Sequence, residues 1–393
     1  MAAVALIEGT CDARFTAIRD GFAANFAEHG EFGAAVTIVL DGRTVVDLWG
    51  GHVDAARSSP WQRDTLVDVF SVGKAFTTLC ALLLVHRGLL DLDASVARYW
   101  REFAEAGKEA ITVRQLLCHQ AGLPAVRRQL ADNAMFDWRV MTEALAVERP
   151  WWQPGTRHGY HVNTFGFLVG EVVRRVSTGA PGGSRSLGTF LRDEITGPLA
   201  ADVHIGLAAS DEARVAEFVW LPELGVVPPG LVTQPLTDAQ RMAYNTYFNP
   251  RGLSGHDVVN TSEWRRAEIP SANAHATARG VARVYSALCA GGTLDGVEIA
   301  GRDVLREAAT VHSDGLDAVL DRPSRFGLGF QLPRPERAIG PNPGVFGHFG
   351  AGGSVGFADP VAGVAFGYVM NRMGPRWHNP TNRGLIDALY SCL

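Results

Sequence analysis

Lysine is nearly missing from this chain. Of 36 basic residues in 393 only Lys74 and Lys108 are lysines, and the rest are arginine. The net charge of −5 and the absence of any basic run or stripe exclude a nucleic-acid partner. Cysteine is sparse and odd in number: five are present (Cys11, Cys80, Cys118, Cys289 and Cys392), widely spaced and two of them in apolar stretches. That pattern fits reduced thiols, not a disulfide framework. No CxxC, no HExxH and no Cys/His pair at zinc-ligand spacing occurs, so neither a metal nor a cofactor is expected. The longest apolar run, residues 75–85, is too short to span a bilayer, and the N-terminal MAAVALIEGTCDARF lacks a basic n-region. The expectation is a cytoplasmic protein with no membrane span.

What is present reads as an ordinary globular composition, 47% hydrophobic and 20% charged. The length exceeds what one core usually serves, which predicts two lobes or a large domain with an insertion. Residues 12–29 carry Phe15, Ile18, Phe22 and Phe26 at helical spacing. GAAVTIVLDGRTVVDLWGG then predicts a hairpin turning at Asp41-Gly42. An apolar helix over 71–88 follows, then a capped start at Ser95 and an Ile/Leu face in ITVRQLLCHQAGLP that ends at Gly122 and Pro124. Residues 126–275 are mixed, with a helix from about Thr164 and a stretch, 219–265, rich in Pro, Gly and Trp without clear period. Regular pattern returns with a helix in TARGVARVYSALCAGG ended by Gly291-Gly292, a hairpin turning at 359–363 and a closing helix in RGLIDALYSCL. The fold class is therefore α/β (α+β): an antiparallel sheet built from both termini, 1–92 and 275–393, with a mostly helical lobe, 93–274, inserted between them.

One of the two lysines stands at the mouth of the apolar helix, in FSVGKAFTTLCALLLVHRG. A spacing of three places Ser71 and Lys74 on one helical face. With sixteen serines and two lysines, chance supplies about 0.08 such pairs in the chain. A serine at a helix start also lies near unpaired backbone N–H groups and the positive end of the dipole, which favours negative charge developing there. An ordinary lysine is neutral only about once in 2,500 molecules at pH 7, roughly 4.6 kcal/mol from acting as a base. Burial, or a second proton acceptor, has to close that gap. The blander reading makes Ser71 an N-cap and Lys74 a snorkelling surface residue; the motifs that follow favour the nucleophile.

FSVGK, LLDLDASVARYW, LLCHQAGLP, WWQPGTRHGYHVNTFGFLVGEVV and GHFGAGGSVGF, in that order, resemble the serine β-lactamase-like superfamily, which includes class C β-lactamases, DD-peptidases and family VIII carboxylesterases. The likeness covers about 40–390, and EWRRAEIPSANAHATARGVARVYSAL looks more like the esterase branch. The resemblance implies Ser71 as nucleophile, Lys74 as its proton partner, and Tyr160 as base in acylation and proton donor to the leaving group. A protonated Lys74 beside Tyr160 would lower the phenol's pKa, and a phenolate would hold Lys74 charged, so either group is open as the base. The family's third element falls on His348-Phe349-Gly350, with the backbone N–H groups of Ser71 and Ala351 as the oxyanion hole. His161 and Asn163 are the expected substrate contacts from the helical lobe, although the family's Y-x-N would place its asparagine at Val162. That displacement, and a histidine at 348 where the family often has lysine, both favour esters over amides.

Gly352-Gly353-Ser354-Val355-Gly356 is formally the nucleophile elbow of another hydrolase fold. That elbow needs a helix after its serine, and here a hairpin follows. His119 reads as stabilising a helix end, His158 and His161 as tuning Tyr160 or standing in for it, and Trp151 and Trp152 as lobe packing. The function implied is hydrolysis of small-molecule esters through a Ser71 acyl-enzyme. The alternatives are an amide-directed or acyl-transfer relative (β-lactamase, D-aminopeptidase, acyltransferase) and an inactive binding protein on the same fold.

Overall fold

The computed structural model describes residues 5–177, 185–220, 237–336 and 338–393. Six antiparallel strands form the main sheet: β1 (Ile7–Cys11), β2 (Gly33–Leu40), β3 (Arg43–Gly51), β4 (Phe346–Phe349), β5 (Val355–Asp359) and β6 (Val364–Met370), in the order β1-β3-β2-β6-β5-β4. Both chain termini thus supply one sheet, joined where β2 pairs with β6 from Leu40↔Val364 to Ala34↔Met370. The β2–β3 hairpin turns at Asp41 (φ 48°) and Gly42 (φ 77°), the left-handed pair that a two-residue turn of this hand requires.

Helices α1 (Thr16–Glu28) and α5 (Pro380–Ser391) pack on each other, and α1 also meets β1 and β3. Helix α4 (Ala278–Cys289) lies across β2, β5 and β6. It comes close because Gly356 and Gly367 are register partners on β5 and β6, and a Cβ on either would overlap Tyr285 or the Ala278 carbonyl.

Helix α2 (Gly73–His86) is buried from Gly73 to Leu84, as an apolar helix without a polar face must be. It packs against α3 (Thr164–Ser177), the short helix Leu187–Leu191 and β4, and so stands between sheet and helical insertion. The described residues between 93 and 274 are mainly short helices and loops. The insertion is tied back by a small sheet in which His275–Ala276 pairs with both Val67–Asp68 and Val203–His204. Ser95 precedes a single 3-10 turn, Val96–Arg98, and makes no side-chain cap. The helix in ITVRQLLCHQAGLP is shorter than its apolar face suggests, Val113–Leu117, because His119 takes a left-handed φ of 62°. Part of the stretch 219–265, residues 221–236, lies outside the described residues. No described helix is long and apolar enough to cross a membrane.

Candidate active site

Ser71 sits in a 3-10 turn, Phe70–Val72, that runs directly into α2. The residue before it, Phe70, has φ 47°, an unusual conformation for a bulky side chain. Buried Asp68 holds that turn: one carboxylate oxygen accepts from the Phe70 N–H at 2.8 Å and the other from the Trp264 indole at 2.8 Å. Burial pushes the Asp68 carboxyl up to about 8, against those two hydrogen bonds.

Lys74 is fully buried, with Nζ 3.0 Å from Ser71 Oγ and 3.0 Å from the backbone carbonyl of Ser271. It has no ion pair among the described residues, and burial alone carries its pKa well below the usual lysine value. Two helical glycines explain how Ser271 arrives. A Cβ on Gly73 would lie 2.6 Å from the Pro270 carbonyl oxygen, and one on Gly166 would lie 2.6 Å from the Ser271 nitrogen. The 270–271 backbone is clasped between α2 and α3, with the Gly166 N–H donating to Ser271 Oγ at 2.7 Å. Sequence reasoning missed Ser271; a glycine inside each of two helices was the available signal.

Tyr160 is buried, and Lys74 Nζ lies 4.8 Å from its ring centroid. The phenol oxygen has no hydrogen-bond partner of good geometry. Burial drives its pKa above the ordinary tyrosine value, opposed by the nearby Ser71 hydroxyl. The ring stacks on Phe326 at 5.6 Å and meets Trp377 at 5.2 Å. Its backbone is anchored by fully buried Asp317, which accepts from the Tyr160 N–H at 2.9 and 3.1 Å, from the Val319 and Leu320 N–H groups, and from Ser324 Oγ at 2.7 Å. His158 Nε2 joins this network through Ser324 Oγ at 2.9 Å. His158 therefore braces the tyrosine segment.

His348 is fully buried on β4, its Nδ1 2.7 Å from the Phe349 carbonyl oxygen. A carbonyl only accepts, so the proton resides on Nδ1 and Nε2 keeps a bare lone pair, 6.1 Å separating this ring from that of Tyr160. Burial, then the Lys74 charge, lowers the imidazole to about 3, leaving it neutral at physiological pH. Beyond it, a Cβ on Gly350 would overlap the Val69 carbonyl. The chain entering Ala351 therefore runs against the turn that carries Ser71.

His161 and Asn163, expected to meet substrate, are engaged elsewhere. His161 Nε2 accepts from the Leu123 N–H at 2.9 Å and Nδ1 lies 2.6 Å from the Gly159 carbonyl oxygen. Asn163 Nδ2 donates to the Thr246 carbonyl and to Ser254 Oγ at 2.9 and 2.8 Å. Both are buried ties within the insertion, with these side-chain atoms already engaged. His119 Nδ1 accepts from the His161 N–H at 3.2 Å, so it too braces this loop. Trp151 and Trp152 donate their indole N–H groups to backbone carbonyls and pack around Tyr160. Ser354 is fully buried just before β5, and its Oγ has no hydrogen-bond partner among the described residues. No group of three or more His, Cys, Asp or Glu side chains suited to a metal occurs among the described residues.

A Ser-x-x-Lys pair at a helix mouth, a buried tyrosine from the helical insertion and an edge strand running past the serine thus come together in one place. The beta-lactamase family model matches residues 18–390, and the chain belongs to that family. Among curated proteins it is 34% identical to the esterase/beta-lactamase LipL of Mycobacterium tuberculosis over 374 residues, 93% of this chain and 83% of LipL. Among solved structures a family VIII carboxylesterase superposes with a TM-score of 0.89 at 39% identity, covering 99% of this chain and all of the other. A penicillin-binding protein homologue from Caulobacter crescentus gives the same TM-score, identity and coverage. EstA from Arthrobacter nitroguajacolicus follows at 0.84 and 30%, covering 98% and 97%.

Proposed function

We propose that the protein is a carboxylesterase that works through an acyl-enzyme on Ser71. One observation carries this reading: a lysine shut away from water, with no carboxylate partner among the described residues, 3.0 Å from the serine hydroxyl. A lysine so placed gives up its proton far more readily than an exposed one, which closes the gap to a working base. Neutral Lys74 takes the Ser71 proton as Oγ bonds to the ester carbonyl carbon. The carbonyl oxygen gains the charge and is received by the N–H groups of Ser71 and Ala351, a contribution of roughly 3–4 kcal/mol for each donor. Tyr160, held protonated by burial, gives its proton to the departing alkoxide as the C–O bond breaks, and Lys74 returns one to the phenolate. Water then attacks the acyl carbon by the same route in reverse, and Ser71 is released.

Lys74 is thus the base and Tyr160 the acid, because nothing near the phenol offsets its burial enough to favour a phenolate. Ester over amide is supported by neutral His348, which brings no positive charge to the place where a lysine often stands in the family, and by the engagement of Asn163 within its own lobe. The names esterase/beta-lactamase, borne by LipL, and family VIII carboxylesterase, borne by the solved structure, support the same activity. The test is hydrolysis of p-nitrophenyl butyrate by the wild type, Ser71→Ala and Ser354→Ala at equal folded concentration. Loss confined to Ser71→Ala is expected. Loss in Ser354→Ala, or turnover by none of the three, would overturn the reading.

A further inference from the structure

The turn that carries Ser71 and the loop that brings Ser271 to Lys74 are fastened together at three points. Asp68, buried three residues before Ser71, accepts from the Phe70 N–H and from the Trp264 indole, both at 2.8 Å. The Val69 N–H donates to the Ala274 carbonyl at 2.8 Å. The Ser271 carbonyl accepts from Lys74 Nζ at 3.0 Å and lies 3.4 Å from Ser71 Oγ. Trp264 is fixed in its turn: it is fully buried, and its carbonyl accepts from Asn273 Nδ2 at 2.7 Å. Asn273, also fully buried, donates to the Ala267 carbonyl at 2.6 Å and accepts from the Ile269 N–H at 2.9 Å. One chain of bonds, Phe70 to Asp68 to Trp264 to Asn273, therefore runs from the residue before the serine to the loop that receives the lysine.

A carboxylate is a costly group to bury, and this one gives both oxygens to neutral N–H donors. What it holds is a conformation that a phenylalanine leaves when free to do so, the left-handed φ of 47° at Phe70. The peptide group that follows Phe70 carries the Ser71 N–H, so the Phe70 torsions set the direction of that donor. A relaxed Phe70 would turn the donor away and move the serine hydroxyl with it. The same turn also locates the edge strand, since Gly350 lies against the Val69 carbonyl on the approach to Ala351. Burial alone lowers the Lys74 pKa, so Asp68 acts through the backbone and not through charge on the lysine.

Resting on the esterase reading, we propose that Asp68 is a positioning residue for acylation: with Trp264 and Asn273 behind it, its carboxylate keeps Phe70 left-handed and so aims the Ser71 N–H and hydroxyl at the ester carbonyl. The aim matters most when the carbonyl oxygen becomes an oxyanion and least when the ester merely binds. Its loss is felt in kcat and hardly in KM.

Asp68→Asn keeps the shape but has one acceptor oxygen; if that oxygen serves Phe70, the amide NH2 meets the indole N–H, donor against donor. Trp264→Phe removes the conflict. The two single variants and the double variant are compared with wild type on p-nitrophenyl butyrate at equal folded concentration. Inhibition by n-butylboronic acid is measured beside it: boron takes Ser71 Oγ as the hydroxyl proton passes to Lys74, leaving a tetrahedral anion. In Asp68→Asn, kcat falls about 100-fold with KM within about threefold of wild type, and the boronate binds more weakly by a similar factor. Trp264→Phe costs about threefold in kcat, and the double variant is about tenfold or more faster than Asp68→Asn. An Asp68→Asn protein that loses only stability, with kcat and boronate affinity at wild-type values, would overturn the proposal, as would a double variant no faster than Asp68→Asn. If Asp68→Asn does not fold, the double variant is set against Asp68→Ala/Trp264→Phe, which lacks the acceptor for Phe70, and equal kcat in the two overturns it. Should the wild type hydrolyse no ester, the esterase reading fails separately and calorimetry with the boronate decides. Weaker binding by Asp68→Asn that the double variant relieves supports the positioning role; equal binding, or none by the wild type, overturns it.

Discussion

The two lysines of this protein are both buried and both lie against an aromatic ring, yet their surroundings do opposite things. Lys108 Nζ, 5.2 Å from the Phe103 centroid, donates to three backbone carbonyls, those of Glu105, Ala146 and Glu148, at 2.8, 2.8 and 2.6 Å. An ammonium has three protons to give, so this one is satisfied completely. Burial brings its pKa down to about 8, with Glu148 and Glu105 opposing the fall, and it remains mostly charged at neutral pH. It clamps the C-terminal end of the helix Trp138–Val147, where carbonyls lack helical partners. Among the described residues Lys74, over Tyr160, has only the Ser71 hydroxyl and the Ser271 carbonyl, and no carboxylate. Three fixed acceptors and nearby acids suit a structural cation; two acceptors, one itself able to give up a proton, suit the base proposed above.

The largest expected effect separates the two directly. Lys74→Met should lower kcat/KM for p-nitrophenyl butyrate by about 1,000-fold or more, with a melting temperature no lower than wild type, since it removes a poorly compensated buried amine. Lys108→Met should do the reverse. Three buried carbonyls lose their donor, at a cost of roughly 3 kcal/mol in chemical denaturation, while kcat stays at the wild-type value. If Lys108→Met loses turnover at full stability, the contrast between a clamp and a base is wrong.

Tyr160→Phe comes next. It should reduce kcat by about 100-fold or more through loss of the leaving-group acid, with little change in stability because the hydroxyl has no hydrogen-bond partner of good geometry among the described residues. A destabilised Tyr160→Phe would mean that the phenol has a structural partner. Asp317→Asn tests the brace behind that tyrosine. The amide keeps one acceptor oxygen for the Tyr160, Val319 and Leu320 N–H groups but presents a donor to Ser324. A loss of about 1–2 kcal/mol with a fall in kcat of about tenfold is expected, read from thermal melts and initial rates.

The smallest effect is in the pH dependence of stability. With Lys108 near 8 in the folded protein and at the ordinary lysine value when unfolded, the unfolded chain holds the extra proton between those values. Wild-type stability relative to Lys108→Met should therefore rise with pH above about 8 and be flat below it. Denaturant midpoints of both proteins from pH 7 to about 9.5 measure the difference, and a difference falling with pH would reverse the assignment.

Local patterns carried much of the fold. The Asp41-Gly42 turn, the helix beginning at Thr164 and the stop at Gly291-Gly292 stand where residue chemistry puts them, because turn conformation and helix termination depend on a few neighbouring residues. The insertion was less legible. His161 and Asn163 lie next to Tyr160 in sequence, yet their partners are at Leu123, Thr246 and Ser254, so nearness along the chain said nothing about which way they face.

The pairing of Ser71 with Lys74 was determined by sequence alone, since three residues on a helix are neighbours whatever surrounds them. The burial on which the proposed role of Lys74 as a base depends was decided only by tertiary structure. Its second partner, Ser271, is 197 positions away, admitted by the missing side chains of Gly73 and Gly166, and its burial is made by α3 and β4 packing over α2. Helical spacing is a property of the backbone, whereas a pKa is set by everything that replaces water around the group, and the chain has to fold before that is settled.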